Sequence, residues 1–266
     1  MNGPTSPVAM WRSIGDRAKK AAKDHVDKSA FELQRECVYE RALARVFAEP
    51  DPHWVLKGGT ALLMRVDSAR HSKDIDLLHD LQDLEAAQRD LEKALSQDLG
   101  DFLRFVLPST RTLGTDQQPG VNGRQVDVQC YCGTKMVIAF HIDLVVGSLM
   151  TAEPEIKKHA GLISVPNVAP PKIRLYPVVD HLADKLCATE AMYPGDRESS
   201  RVRDLVDIVI IAQSHELDGT ALREAIEGER AHRALAPRVT LDLPTSWTEQ
   251  QYRKAATSAC PVHLSN

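Results

Sequence analysis

Apolar and polar positions along the chain change period several times, and each change predicts an element. Trp11 to His25 is polar and basic with helical spacing. Gly3, Pro4 and Pro7 oppose regular structure over the first nine residues. Ser29 followed by Glu32 has the spacing of a capping box, opening a helix to Ala48 with Phe31, Val38, Leu43, Val46 and Phe47 as its apolar stripe. Pro50 and Pro52 end it. Trp54 to Leu56 is a short apolar segment, and Ala61, Leu62, Met64, Arg65 and Val66 return to helical spacing. Ile75, Leu77 and Leu78 read as the inner positions of a strand. Leu84, Ala87, Leu91 and Leu95 share one face of a helix over 83–100, with Gly100 as its C-cap. Phe102 to Leu107 alternates like a strand. Arg124–Cys132 and Met136–Val146 form a hairpin about Gly133-Thr134-Lys135. A proline-rich connection, 166–171, leads to a last strand over Ile173–Val178. From Val179 the pattern is helical: Val179–Met192, ended by Tyr193-Pro194-Gly195; a helix capped by Ser199 or Ser200; and a charged helix over 218–236. Trp247 and Tyr252 in the tail are expected to pack on the body. This is an α/β (α+β) chain, with a mixed sheet flanked by helices over 1–178 and a C-terminal helical part over 179–266.

Composition narrows the class. The 266 residues are 43% hydrophobic and 26% charged, ordinary for a globular protein long enough to bury a core. No apolar run reaches the roughly 18 residues of a membrane span, so no membrane partner is expected. The N-terminus lacks a basic-then-apolar signal pattern, and five cysteines, an odd number, suit a reducing cytoplasm. The net charge of −4 argues against general nucleic-acid binding, so any RNA contact requires a local basic patch. Arg12, Arg17, Lys19, Lys20 and Lys23 form one basic run, of the kind that usually only solvates a helix face. Cys130-x-Cys132 has no second pair at zinc-ligand spacing and reads as structural.

The chemistry concentrates in Lys57–Leu78. Gly58 and Gly59 let the backbone approach a ligand, and the amides of the helix that follows can face a phosphate. Asp74 and Asp76 lie two residues apart on a strand and so point the same way. Such a carboxylate pair suits Mg²⁺, or Mn²⁺, a hard cation that takes oxygen ligands. A phosphate cradle beside metal-binding carboxylates is equipment for chemistry on a nucleoside triphosphate. On the hairpin's second strand Asp143 stands in an apolar run, costly unless paired or bound to metal. Asp127 on the partner strand is its rival. Taken singly, a Gly-Gly pair is most often a turn and an Asp-x-Asp a solvated strand end; their order and spacing make the combination specific.

Gly58-Gly59-Thr60 followed by Ser72-Lys73-Asp74-Ile75-Asp76 resembles the signature of the DNA-polymerase-β-like nucleotidyltransferases. More narrowly, KGGTAL followed by DIDL resembles the AbiEii/AbiGii nucleotidyltransferase toxins of type IV toxin–antitoxin systems. Leu182-Ala183-Asp184-Lys185-Leu186-Cys187-Ala188 and Arg201-Val202-Arg203-Asp204-Leu205-Val206-Asp207 resemble that family's downstream motifs, so the likeness covers about residues 50–215. The resemblance implies a polymerase-β-like core that transfers NMP from an NTP. Asp74, Asp76 and Asp143 would hold the metal. Gly58, Gly59, Thr60 and Ser72 would hold phosphates, with Lys57 and Arg65 as weaker candidates. Lys185 would offset triphosphate charge, and Asp204 would orient Lys185 or a metal-bound water. The acceptor implied is the tRNA 3′ end, with Arg197, Arg201 and Arg203 near its phosphates, and the partner a cognate antitoxin. A protein or small-molecule acceptor, or a catalytically silent NTP- or RNA-binding module, remains the alternative.

Overall fold

The computed structural model describes residues 3–25, 28–50, 52–66, 74–113, 122–163, 165, 168–193, 195–238 and 240–257. Among them the chain forms α1 (Pro7–Asp24), α2 (Ala30–Val46), β1 (Trp54–Lys57), α3 (Gly58–Arg65), β2 (Ile75–His79), α4 (Leu84–Leu95), β3 (Leu103–Val106), β4 (Thr110–Thr112), β5 (Asn122–Cys132), β6 (Lys135–Val146), β7 (Glu155–Lys158), β8 (Lys172–Leu175), α5 (Val178–Glu190), α6 (Val202–Ser214), α7 (Gly219–His232) and α8 (Glu249–Thr257). The eight strands make one mixed sheet in the order β3-β5-β6-β2-β1-β8-β7, with β4 on β5. β2 runs antiparallel to β1 and parallel to β6.

One face of the sheet is apolar. Ile75, Leu77, Val126, Val128, Ile142 and Leu144 are fully buried there and pack with Leu33, Val38 and Leu43 of α2 and Leu91 of α4. Each such side chain contributes roughly 1.5–3 kcal/mol by leaving water. Strand alternation then sends Asp76, Asp143 and Gln125 to the other face. Helices α5 to α8 share a second apolar cluster with α3: Leu62 meets Leu182, Val206, Ile210, Ile211 and Ala256. α3 therefore joins the sheet to the C-terminal helices.

Capping follows the sequence at α2, where Ser29 and Glu32 form the reciprocal box. Asp83 caps α4 and Asp218 caps α7 through their carboxylates. Several boundaries differ from expectation. α1 begins at Pro7 behind Ser6, since proline lacks only an amide that a helix's first turn leaves unused. Phe31, in the first turn of α2, is exposed. α4 closes at Ser96, and Gly100, with φ of 69°, turns the loop beyond it. α6 is capped by Arg201 rather than a serine; the Ser199 hydroxyl accepts from the Arg201 amide instead. The last strand ends at Leu175, and Val178 already opens α5. β4 and β7 are short and largely exposed, without the alternation that marks a half-buried strand. Trp247 packs back as expected, its indole donating to the Ser199 carbonyl at 2.5 Å, while Tyr252 joins the α3–α6 cluster.

Candidate active site

The site begins where β1 becomes α3. Lys57 ends the strand opposite Asp76, and Gly58 opens the helix with φ of 63°, a value that favours glycine. A β-carbon there would collide with the Asp76 carboxylate. Gly58 and Gly59 thus form the first turn of α3 itself rather than a turn ahead of it, and the unpaired amides of that turn lie beside β2. The Thr60 hydroxyl donates to the Asp74 carbonyl at 2.8 Å and ties the helix to the entry of β2. Ser72 lies outside the described residues.

The parallel register of β2 and β6 sets Asp76 directly beside Asp143. Burial, then the charges of Asp143 and Asp74, push the Asp76 carboxyl up to about 6. Burial raises Asp143 as well, against a 2.8 Å hydrogen bond from Gln125 Nε2. Asp127, by contrast, stands opposite His141, with Nδ1 of that ring 2.7 Å from Oδ1 and Ser109 bonded to Oδ2. Of the two hairpin acids, Asp143 is the one in register with Asp76.

From the helical side comes Lys185 on α5. It is buried, and its ammonium donates to Asp204 at 2.9 Å and Asp207 at 2.8 Å, both on α6. Burial alone would lower its pKa, but the two carboxylates prevail and raise it, so the amine is charged. That charge is felt at Asp76, where it lowers the carboxyl's pKa. Arg201 Nε reaches the other Asp204 oxygen at 2.6 Å. Lys57 Nζ sits 4.2 Å from the centroid of the Tyr176 ring and donates to Ser148 at 2.9 Å. Arg65 is engaged away from the carboxylates, donating to Glu155 at 3.1 Å and to the Tyr176 carbonyl at 2.7 Å. Arg203 is exposed, and the backbone of Arg197 bridges Tyr193.

Three participants lay outside the sequence-based set. Asp207 had a signal, since it follows Asp204 by three residues and so shares its helix face. Gln125 was countable from the hairpin register opposite Asp143. Tyr176 had none, because only the β1–β8 pairing brings it to Lys57.

This geometry can be set beside known proteins. The family described as Nucleotidyl transferase AbiEii toxin, Type IV TA system, matches residues 41–258. The chain belongs to this family. It is a nucleotidyltransferase of a type IV toxin–antitoxin system, the toxin of the pair, which implies an NTP substrate and a cognate antitoxin. No curated protein matches the sequence. Among solved structures, MenT4, a nucleotidyltransferase toxin from Mycobacterium tuberculosis H37Rv, is similar in fold, with a TM-score of 0.57 at 17% identity over 91% of this chain and 89% of that one. JHP933 from Helicobacter pylori gives a TM-score of 0.44 at 17% identity, covering 86% and 90%. Likeness at this identity concerns the fold, and the AbiEii chemistry here rests on the family match. Among the described residues no helix is long and apolar enough to cross a membrane.

Proposed function

We propose that the protein transfers a nucleoside monophosphate from an NTP to the 3′-hydroxyl of an RNA, specifically the tRNA 3′ end, and so blocks aminoacylation and growth in the cytoplasm until its antitoxin neutralises it. The observation that carries this reading is the register of Asp76 against Asp143 at the glycine-led start of α3. The acceptor oxygen forms a bond to the α-phosphorus as the α–β bridging bond breaks, and pyrophosphate leaves with the electron pair. Asp143, whose carboxyl stands above its ordinary value, takes the hydroxyl's proton. The first-turn amides of α3, together with Ser72, receive the β- and γ-phosphates. Lys185, charged and held by Asp204 and Asp207, offsets charge gathering on the pyrophosphate.

Asp76, Asp143 and Asp74 are hard oxygen donors; burial first, and then the charges of Asp143 and Asp74, raise the Asp76 carboxyl, and the donor set suits Mg²⁺ or Mn²⁺. Among the described residues no three His, Cys, Asp or Glu side chains form a finished metal cluster. This is compatible with Mg²⁺, which commonly takes one or two carboxylates and completes its shell with substrate phosphates and water. When bound, the ion would supply positive charge at the triphosphate.

The test is to incubate the protein with a divalent cation, each α-labelled NTP in turn and total tRNA. Label should appear on tRNA and vanish with Asp76→Ala. Label on protein, or on nothing, would overturn the acceptor assignment.

A further inference from the structure

Beyond Asp143 the polar face of the sheet continues across β6, β5 and β3 without a helix over it among the described residues. Helices α1, α2 and α4, which touch these strands, put their buried apolar side chains into the main apolar cluster on the opposite face. Many antiparallel sheets leave one face to water. This face is distinguished by what it carries. Arg111, 62% exposed, donates through Nε to Gln125 Oε1 at 2.8 Å, and Gln125 donates to Asp143 at 2.8 Å. Farther along, the exposed Arg104 of β3 places its guanidinium carbon 4.7 Å from the centroid of Tyr131 on β5. The Tyr131 hydroxyl donates to Gln129 at 2.9 Å. Among the described residues the acid between these points is Asp127, whose Oδ1 lies 3.5 Å from Arg111 and 2.7 Å from His141 Nδ1. A chain with net charge −4 therefore presents a locally cationic, aromatic strip that runs directly out of its catalytic carboxylates.

We infer that this sheet face is the track for a single-stranded RNA 3′ end, with the terminal hydroxyl at Asp143 and upstream bases stacking on the Arg104–Tyr131 platform. The inference rests on the reading that the acceptor is RNA. Three observations select this occupant. The strip is continuous with Asp143 through Gln125. Its cations complement phosphate. Its platform pairs a tyrosine with an arginine, the two side-chain types that stack on unpaired bases. Length agrees as well. Gln125 to Tyr131 spans about 20 Å at about 3.4 Å per strand residue, room for about four to six nucleotides of a single strand at about 3.4 Å or more each. A duplex buries its base faces within the stack and gains nothing from such a platform.

The test is fluorescence anisotropy of the whole chain with a 5′-labelled RNA hexamer bearing a free 3′-hydroxyl. Tyr131→Ala and Arg104→Ala should each weaken binding about 5- to 100-fold. Tyr131→Phe, which keeps the ring, should bind like the wild type. NTP affinity and the melting temperature should hold in all three, since both side chains are at the surface. Unchanged hexamer affinity in the alanine variants, or a wild-type protein that does not bind the hexamer, overturns the inference. The two readings separate cleanly: if tRNA is labelled in the transfer assay while the alanine variants bind the hexamer like the wild type, the track falls and the RNA acceptor stands.

Discussion

Gly58 lies against the carboxylate of Asp76. A β-carbon on Gly58 would overlap Asp76 Oδ2 and come within 2.5 Å of Cγ, at a backbone φ of 63° that L side chains rarely adopt. The antiparallel register of Lys57 with Asp76 produces this contact, so the start of α3 and the carboxylate are fitted to each other. Gly58→Ala carries both the left-handed backbone penalty, about 1 kcal/mol or more, and a forced shift of Asp76. A displacement of about 1 Å at a reacting group costs about 10²-fold in rate. Turnover of the variant should therefore fall about 100-fold while circular dichroism shows a folded protein. Wild-type turnover would mean that Asp76 is not fixed by this contact.

Lys185 has three N–H donors, and Asp204 and Asp207 take two of them. Lys185→Met removes a buried charge whose field reaches Asp76. The expected loss in kcat/KM is about 10²–10³-fold, the usual scale for deleting one preorganised group that meets developing charge. The variant also leaves two buried carboxylates without their cation, so melting temperature is measured alongside. Asp207→Asn separates the two effects, because it keeps the ammonium and loosens only one of its anchors; its kcat/KM should lie between wild type and Lys185→Met. Equal kcat/KM for all three would return Lys185 to a purely structural part.

How much of this was legible beforehand depends on the range of the interaction. The β1–α3–β2 unit and the β5–β6 hairpin are local, and Gly58-Gly59, Asp74-Ile75-Asp76 and Gly133-Thr134 announced them in the residues themselves. Strand alternation also put Asp143 and His141 on the face opposite Ile142 and Leu144. The parallel pairing of β2 with β6 was not legible, since it joins residues separated by more than sixty positions; Asp143 was chosen for its apolar surroundings and its likeness to the family, with Asp127 left open. Lys185 illustrates the limit from the other side. On its own helix it has the look of a lysine extending to solvent, and only the approach of α6 makes it a buried ion-pair centre. Likewise β4 and β7 exist through the strands beside them, with no pattern of their own.

Behind the site, Asp101 stabilises the packing of α2 on the sheet. Its carboxylate accepts from Arg45 at 2.7 and 3.0 Å and from Arg41 at 2.9 Å, all three side chains being buried. Burial alone would raise the Asp101 pKa, but the arginine hydrogen bonds prevail and hold it below its ordinary value. Its stabilising contribution is therefore present above about pH 4, the unfolded value, and is lost as pH falls through the lower folded one. Asp101→Asn leaves two buried guanidinium groups without a counter-charge and should cost about 3–5 kcal/mol. Urea unfolding across pH 3–7 checks both points. The variant should be less stable at neutral pH and should lose less than the wild type on acidification; parallel acid limbs would remove Asp101 from the account.

Asp76 has the opposite sign. Its folded carboxyl rises to about 6, so the folded chain favours its protonated form; that contribution is complete below the unfolded value near 4 and disappears as pH rises through 6. Above pH 6 the ionised Asp76 faces Asp143 and Asp74, and a divalent cation would relieve the repulsion. Saturating Mn²⁺ or Mg²⁺, at about 100 times the dissociation constant, should add about 2.7 kcal/mol, which for a chain of this size is roughly 5–10 °C in melting temperature. At pH 5 protons compete for Asp76 and the increment should shrink. EDTA should reverse it, and Asp76→Ala should abolish it at every pH. An equal increment at pH 5 and pH 7.5, or one that survives Asp76→Ala, would place the ion on other ligands.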